Sequence, residues 1–555
     1  MQDLGYAFRQ LRKSPAFALV AILSLALGSG ANAAIFQLLN ALRLRSLPVP
    51  QPKELAEVRI VGGSQGFGVI NGPYAQMTRP IWRQIREHHE AFSGVFAWST
   101  QENRVGRGSS SHSVRGLEVS GEFFPVLGIQ PWRGRLLRPD DEGACTVSRA
   151  VVSYPYWQGQ MGGRELSGND TLLIDGHSAE VIGVTPPGFF GLAVGEGFDV
   201  AFPFCQAQEL RPELFDISIM GRLRPGWTLE RASAQMGASS AGIFAATEPT
   251  GYSAQSIERY KQFRLGVYPA GGGVSWLRTV YDSSLWLLLI ITGLVLLIAC
   301  ANLANLMLAR ASAREREIAV RMALGASRAR LLRHSLAESA VLACGGVALG
   351  VALGQALSRV LVWLLSTGNN PVSLATGMDW HVLLFSSSVA ALTCIVFGTA
   401  PALRSIGADP GSAMKSGGRG VTGSHERFSL QRVMVVCQIS VSLVLLVGAF
   451  LFVRSFRSLI TLNPGMREHG ITLATLGFAD SQVPPERYEE FKRELLDEVR
   501  SVPGVLNAAT TTNAPLLGGS WTHNIHVGSS EGPSKFTWVS PGYLATMGVP
   551  LKGGR

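Results

Sequence analysis

Ser283–Ala309 reads SSLWLLLIITGLVLLIACANLANLMLA, a run without a single Asp, Glu, Lys or Arg. A helix needs about 20 apolar residues to cross the hydrocarbon core of a bilayer, and a soluble core helix rarely stays uncharged for so long. Shortly after it comes REREIAVRMALGASRARLLRH, Arg314–His334, dense in charge and spaced like a helix. The chain thus leaves an apolar phase and enters water within a few residues. Ser14–Leu42, Ser339–Ser358, Trp380–Leu403 and Val433–Val453 are equally free of Asp, Glu, Lys and Arg. Five spans are therefore expected. A mean hydropathy of +0.21 with only 16% charged residues fits a multi-span membrane protein and excludes an ordinary soluble one.

The charge distribution orients these spans. The segments 1–13, 310–336 and 404–432 carry net charges of +2, +5 and +3, which account for the whole net charge of +10. Loops rich in Lys and Arg stay in the cytoplasm, whereas Thr367–Asp379 carries neither and belongs outside. Arg43 and Arg45 lie on the side assigned as external, a departure that long translocated regions tolerate. The basic residues form no stripe across a folded face, so no nucleic-acid partner is expected. The first run, preceded by Arg9, Arg12 and Lys13 and containing Ala31-Asn32-Ala33, also fits a cleaved signal peptide. A matching span deep in the chain favours a retained helix.

The expected class is an α-helical multi-span membrane protein with mixed α/β extracytoplasmic domains. Its parts are a cytoplasmic N-terminus (1–13), helix one (14–42), an extracytoplasmic α/β domain (43–282), helix two (283–309) and a cytoplasmic segment (310–336). Helix three (337–365), helix four (380–403), a cytoplasmic linker (404–432), helix five (433–453) and the start of a second external α/β domain (454–555) follow. Within the first external domain, Thr171–Ile174 and Ala179–Val184 flank Asp175-Gly176, a hairpin-turn pair. Gly226–Met236 reads as a helix start with Thr228 as its N-cap.

An internal repeat supports this division. VSGEFFPVLGIQPWRGR (Val119–Arg135) and VSPGYLATMGVPLKGGR (Val539–Arg555) align without a gap at an offset of 420, and the same offset lays Arg12 on Arg432 and span one on span five. The chain reads as one full unit followed by the start of another, so a fragment of a longer protein is expected. A natural chain with a short second domain is the alternative.

Few motifs point to chemistry. GxxxxGK[ST] does not occur, so no loop cradles nucleotide phosphates. No carboxylate lies inside any of the five uncharged runs, which leaves an ion-coupled carrier without relay groups. The histidines lack zinc-ligand spacing, with His88 and His89 adjacent and read as solvated surface, and no catalytic set emerges. Gly346, Gly350 and Gly354 repeat at four-residue spacing and suit close helix approach in lipid. Asn302 and Asn305 suit bonds to neighbouring helices. Cys300, Cys344, Cys394 and Cys437 fall in spans, whereas Cys145 and Cys205 share the external domain, where a disulfide between them or two free thiols are both open. The helical pattern of Arg314–His334 suits either a groove in another protein or an anionic lipid surface.

Glu317-Ile-Ala-Val-Arg-Met-Ala-Leu-Gly-Ala326, preceded by Asn302-Leu-Ala-Asn-Leu-Met-Leu-Ala-Arg-Ala311, resembles the segment after the second span of MacB/FtsX-type ABC transporter permeases. Leu11-Arg-Lys-Ser-Pro-Ala-Phe17 and Gly28-Ser-Gly-Ala-Asn-Ala-Ala-Ile-Phe36 are similar to the duplicated, ADOP-type members, and Val181–Phe189 to a strand and turn of their external domain. The resemblance implies a coupling helix resting in a groove of a separate cytoplasmic ABC ATPase, with Glu317, Ile318, Arg321, Met322, Gly325 and Ala326 as its contact set. It implies ATP and Mg on that partner, no cofactor on this chain, a second permease unit and a mechanotransmitting role. An FtsX-like transducer acting on an external cell-wall hydrolase or sensor, and an ATP-independent scaffold, are the alternatives.

Overall fold

The computed structural model describes the chain except residues 1–8, 10–11, 65–66, 71, 73, 75, 108–110, 144–148, 205–211, 251, 314–327, 367–379, 383, 390, 393–394, 396–424, 468, 477–482, 516–520, 529 and 554–555. It divides into a unit formed by Met1–Ser46, Leu192–Gly197 and Gly272–Arg457, and a second formed by Leu47–Gly191, Phe198–Gly271 and Ser458–Arg555.

In chain order, α1 is Pro15–Leu39, continued by a π-helical turn at Asn40–Leu44. The first external region supplies β1 (Leu55–Ile60), β2 (Val69–Ile70), α2 (Arg79–Glu87), β3 (Phe92–Val105), β4 (His112–Val119), α3 (Phe123–Leu127), β5 (Arg133–Gly134), β6 (Arg149–Val152) and α4 (Tyr154–Gly159). It continues through β7 (Thr171–Ile174), β8 (His177–Val184), β9 (Val200–Pro203), β10 (Leu214–Phe215), β11 (Ser218–Leu223), α5 (Leu229–Ala246), α6 (Ala254–Lys261) and β12 (Leu265–Pro269). The long helices α7 (Trp276–Ala313), α8 (Arg328–Leu365) and α9 (His425–Ile460) follow, and then α10 (Tyr488–Ser501), β13 (Trp521–Val527), β14 (Ser530–Phe536) and α11 (Tyr543–Met547).

Among the described residues, Pro15–Leu44, Trp276–Met307, Leu336–Leu365 and Val435–Ile460 are long and apolar enough to cross a membrane. Much of the predicted span 380–403 lies outside the described residues. Helix α1 runs unbroken through Ala31–Ala33. Helix α7 starts at Trp276 rather than Ser283, because the Ser275 hydroxyl accepts from Arg278 N–H at 3.3 Å and so caps an earlier turn.

The external sheet is mixed, in the order β12-β1-β11-β3-β4-β9-β6-β8-β5, with β7 paired to β3 and β8. Strand β3 serves two cores. Its first half pairs antiparallel with β11, from Phe92↔Leu223 to Trp98↔Ser218; its second half pairs with β4, from Trp98↔Val119 to Val105↔His112. Under the first half lies a core of Ala56, Val58, Ile81, Ile85, Met236, Phe244 and Tyr260. Under the second lies a core of Val105, Val152, Trp157, Ile174, Val181 and Val184. Edge strand β12 keeps no free outward donors at two positions: Leu265 N–H donates to Ser240 Oγ at 2.8 Å and Val267 N–H to Ser233 Oγ at 3.2 Å. Both serines come from α5, two turns apart, so a helix covers an edge that would otherwise template pairing.

Local rules fix the connections. Asp175 (φ 46°) and Gly176 (φ 81°) both adopt the left-handed region between β7 and β8, as a tight two-residue hairpin requires. The Asp175 carboxylate accepts from Asn103 Nδ2 at 2.6 Å and Arg104 N–H at 2.7 Å. Thr228 Oγ1 accepts from Arg231 N–H at 3.3 Å and caps α5.

The two sequence-similar segments have matching backbones. Phe123 N–H donates to Ser120 O (3.0 Å) and Tyr543 N–H to Ser540 O (3.2 Å); Ile129 N–H donates to Phe124 O (3.2 Å) and Val549 N–H to Leu544 O (2.8 Å). Gly128 (φ 72°) ends α3 and Gly548 (φ 66°) ends α11, each in a left-handed turn that favours glycine. Ser120 exchanges hydrogen bonds with Ala97, and Ser540 with Thr510.

Candidate functional site

The membrane unit holds the candidate site, a bundle of α1, α7 and α8. The α8 face bearing Gly346, Gly350 and Gly354 lies on α1. A Cβ added at Gly354 would stand 3.0 Å from Gly30 O, and one added at Gly30 only 2.9 Å from Gly350 O. The two backbones therefore touch directly, which only small residues allow and which supplies dispersion contact where lipid tails offer no hydrophobic drive.

Polar groups fix the register of this bundle. Asn32 Nδ2 donates to Thr292 O at 2.8 Å, and Thr292 Oγ1 donates to Asn32 Oδ1 at 3.1 Å, so α1 and α7 exchange reciprocal bonds. Ser358, fully buried, donates through Oγ to Gln37 Oε1 at 2.5 Å and joins α8 to α1. On the far side of α7, Gln438 Nε2 donates to Asn302 Oδ1 at 2.7 Å, and Asn305 Nδ2 donates to Gln438 Oε1 at 3.4 Å. A polar group left alone in hydrocarbon is costly, so such pairs resist sliding.

At the end of α1, Arg278 forms a clamp. Its Nε and Nη2 donate to Leu42 O at 2.8 and 2.5 Å, while Nη1 and Nη2 reach Gly273 O at 3.2 Å and Gly272 O at 3.0 Å. Arg43 Nε pairs with Asp282 at 3.1 Å. The charge that departs from the cytoplasmic pattern thus has a structural role, tying the end of one span to the start of the next. The segment Leu192–Gly197 joins this junction through Val194 N–H to Val274 O (2.7 Å), Val274 N–H to Leu192 O (3.0 Å) and Ser275 Oγ to Val194 O (2.9 Å).

The external unit holds two ionic centres. Buried Arg79 pairs with Glu118 at 2.9 Å and Asp216 at 3.1 Å, with its guanidinium 4.5 Å from the Phe204 ring centre. Burial pushes the Asp216 carboxyl up, and Arg79 opposes the shift. Asp141 accepts both arms of Arg135 at 2.7 and 2.9 Å, with Arg138 N–H at 2.9 Å and Arg149 alongside. Burial raises its pKa, but the hydrogen bonds from Arg135, Arg138 N–H and Arg149, with the Arg135 charge, outweigh burial and bring it down to about 2. The Arg that closes the repeated motif is therefore an anchor for a carboxylate six residues on.

The predicted contact set Glu317, Ile318, Arg321, Met322, Gly325 and Ala326 lies outside the described residues, as do Cys145 and Cys205. Cys300 is buried, while Cys344 and Cys437 are exposed rather than packed. His88 and His89 cap the end of α2, their Nδ1 atoms 3.0 Å from Gln84 O and 2.6 Å from Arg86 O. Asn32, Thr292, Gln37, Ser358 and Arg278 were not singled out by sequence pattern. For the first four, a polar residue inside an uncharged run was the available signal; Arg278 precedes the run Ser283–Ala309 and gave none.

The fold and this bundle define a multi-pass membrane protein with an extracytoplasmic α/β domain. Residues 18–239 match the MacB-like periplasmic core domain, and residues 289–410 match the FtsX-like permease C-terminal domain. Over these two stretches the chain carries the domains of MacB/FtsX-type permeases, and it is a multi-pass inner-membrane protein with an extracytoplasmic domain. It is 32% identical over 127 residues to the macrolide export ATP-binding/permease protein MacB of Rhodopirellula baltica, covering 23% of this chain and 18% of that one. To the protein of the same name in Bdellovibrio bacteriovorus it is 34% identical over 133 residues, covering 23% and 19%. The matches thus span about a fifth of these relatives' length. Among solved structures, the periplasmic region of MacB from Actinobacillus actinomycetemcomitans overlaps 42% of this chain and 93% of its own, at 11% identity and a TM-score of 0.28. The extracellular domain of the noncanonic ABC-type transporter YknZ from Gram-positive bacteria overlaps 32% and 88%, at 12% identity and a TM-score of 0.24.

Proposed function

We propose that this chain is the permease part of a mechanotransmitting ABC transporter. A separate cytoplasmic ATPase, holding ATP and Mg, grips Glu317, Ile318, Arg321, Met322, Gly325 and Ala326. The apolar pair fills its groove, Glu317 and Arg321 make charge-assisted bonds, and Gly325 permits close approach. Closure of the ATPase displaces this segment, and the helices carry the displacement to the extracytoplasmic side, where a substrate is exported or handled.

The observation that carries this reading is the Arg278 clamp at one end of a long helix. At 1.5 Å per residue, α7's 38 residues extend about 57 Å, well beyond the roughly 30 Å of hydrocarbon. The rod reaches from Ala313, next to the proposed ATPase contact, to the junction where Arg278 and Arg43–Asp282 bind α1. A rod held at this junction passes on a displacement applied at its other end. The matched hydrogen bonds at Ser120–Ile129 and Ser540–Val549 support a second permease unit beginning near Arg432.

Affinity purification from the native membrane tests the reading. An ABC ATPase should copurify with the wild-type chain and be lost with Arg321→Glu. If no ATPase copurifies and Arg321→Glu leaves function intact, the ATP-independent scaffold replaces this account.

A further inference from the structure

We propose that Asn302, Asn305 and Gln438 form an amide clamp that docks α9 onto α7 within the membrane and so registers the second unit against the first. The inference rests on the duplicated-permease reading only in treating α9 as the opening span of the second unit.

No residue in the apolar window of α9 is buried, and its Val444, Leu446, Phe450 and Phe452 side chains face outward. Such a surface gains nothing by exchanging lipid tails for protein, so association needs small-residue contact or hydrogen bonds. The small-residue face is interrupted in α9, and Gly448 meets nothing within 4 Å. At an offset of 420, the α1 positions Ser29, Gly30 and Ala33, which meet the α8 glycines, fall on Ala449, Phe450 and Val453. A bulky ring stands where backbone contact would be required, and α9 cannot dock as α1 does.

The amides supply the alternative. Gln438 is the one amide in the run Val433–Val453, where the matching α1 residue is Ala18. It spends both of its ends on α7, donating to Asn302 Oδ1 at 2.7 Å and accepting from Asn305 Nδ2 at 3.4 Å. Asn302 and Asn305 stand three residues apart, on one helical face. Parting or sliding the helices would strand these groups in hydrocarbon, so the contact has one favoured register. It lies two to three turns before Ala313, where α7 meets the proposed ATPase contact. Movement there carries the second unit with it.

The test uses the full chain with a protease recognition sequence inserted between Lys415 and Gly423, purified in detergent and then cut. The fragment containing α9 should stay bound, and Gln438→Leu should weaken its retention about 3- to 30-fold, the range for bonds between membrane helices. Val444→Ala, on the exposed face, should leave retention unchanged, which reports intact folding. Asn302→Leu added to Gln438→Leu should cost little more, because both remove the same bond. Undiminished retention with Gln438→Leu, or simple addition of the two effects, overturns the clamp. No ATPase is present in this assay, so its failure leaves the ATPase reading standing, and failure of the copurification test leaves the clamp standing.

Discussion

Replacing Arg278 by Met removes the charge and all donors while keeping most of the side chain's bulk. The guanidinium makes four hydrogen bonds to the carbonyls of Leu42, Gly272 and Gly273. A bond to a charged group contributes about 1.5–3 kcal/mol, but four bonds from one partly buried group share a single desolvation cost and do not add. A loss of about 2–4 kcal/mol at the junction is expected, which corresponds to a roughly 30- to 1,000-fold rise in local opening. Amide hydrogen exchange in lipid nanodiscs reads this directly. The sensitive amides are Arg45, bonded to Asn40 O at 2.9 Å, and Val194 and Val274, which close the Leu192–Gly197 segment. Arg278→Lys retains the charge but has no planar fork, and should fall between wild type and Arg278→Met. If exchange at Arg45 and Val194 stays within about twofold of wild type in Arg278→Met, the junction is not held by this residue.

Gly28→Val should destabilise the bundle by about 1–3 kcal/mol, because its Cβ would stand 3.0–3.1 Å from Leu296. Gly448→Val, at the matching position of α9, meets nothing within 4 Å and should leave thermal unfolding unchanged. Arg79→Ala strands the buried Glu118 and Asp216 carboxylates and should cost about 3–5 kcal/mol in chemical denaturation. Asp141 titrates near 2 when folded against its ordinary 3.8, so its contribution is complete above 3.8 and fades as pH falls from there through 2. That contribution is about 1–2 kcal/mol after solvent screening, and unfolding at pH 6 and pH 2.5 should show a smaller acid loss in Asp141→Asn. Ser233→Ala with Ser240→Ala bares two edge amides of β12, and light scattering should show faster aggregation on mild heating.

What the sequence made legible is local. Four of the five uncharged runs, the Asp175-Gly176 turn and the Thr228 cap each depend on neighbours within a few residues, and these are present in the structure. The glycine spacing in α8 is also local, although the surface it meets is not. What stayed hidden joins distant residues. Arg278 and Leu42 are 236 apart, Asn32 and Thr292 are 260 apart, and Arg79 and Asp216 are 137 apart. No periodicity encodes which arginine meets which carbonyl. Helix boundaries erred where a cap lay outside the apolar run, as Ser275 does for α7. The proposed coupling residues rest on resemblance, since a charged helical pattern alone suits protein and lipid equally.

The most direct measurement is amide hydrogen exchange on the chain bound to the proposed ATPase, with and without vanadate-trapped nucleotide. Protection at Arg45 and at Leu192–Gly197 should change on trapping, and that change should vanish with Arg321→Glu. Protection that is indifferent to nucleotide, or that shifts equally in Arg321→Glu, would contradict transmission from the cytoplasmic segment to the junction.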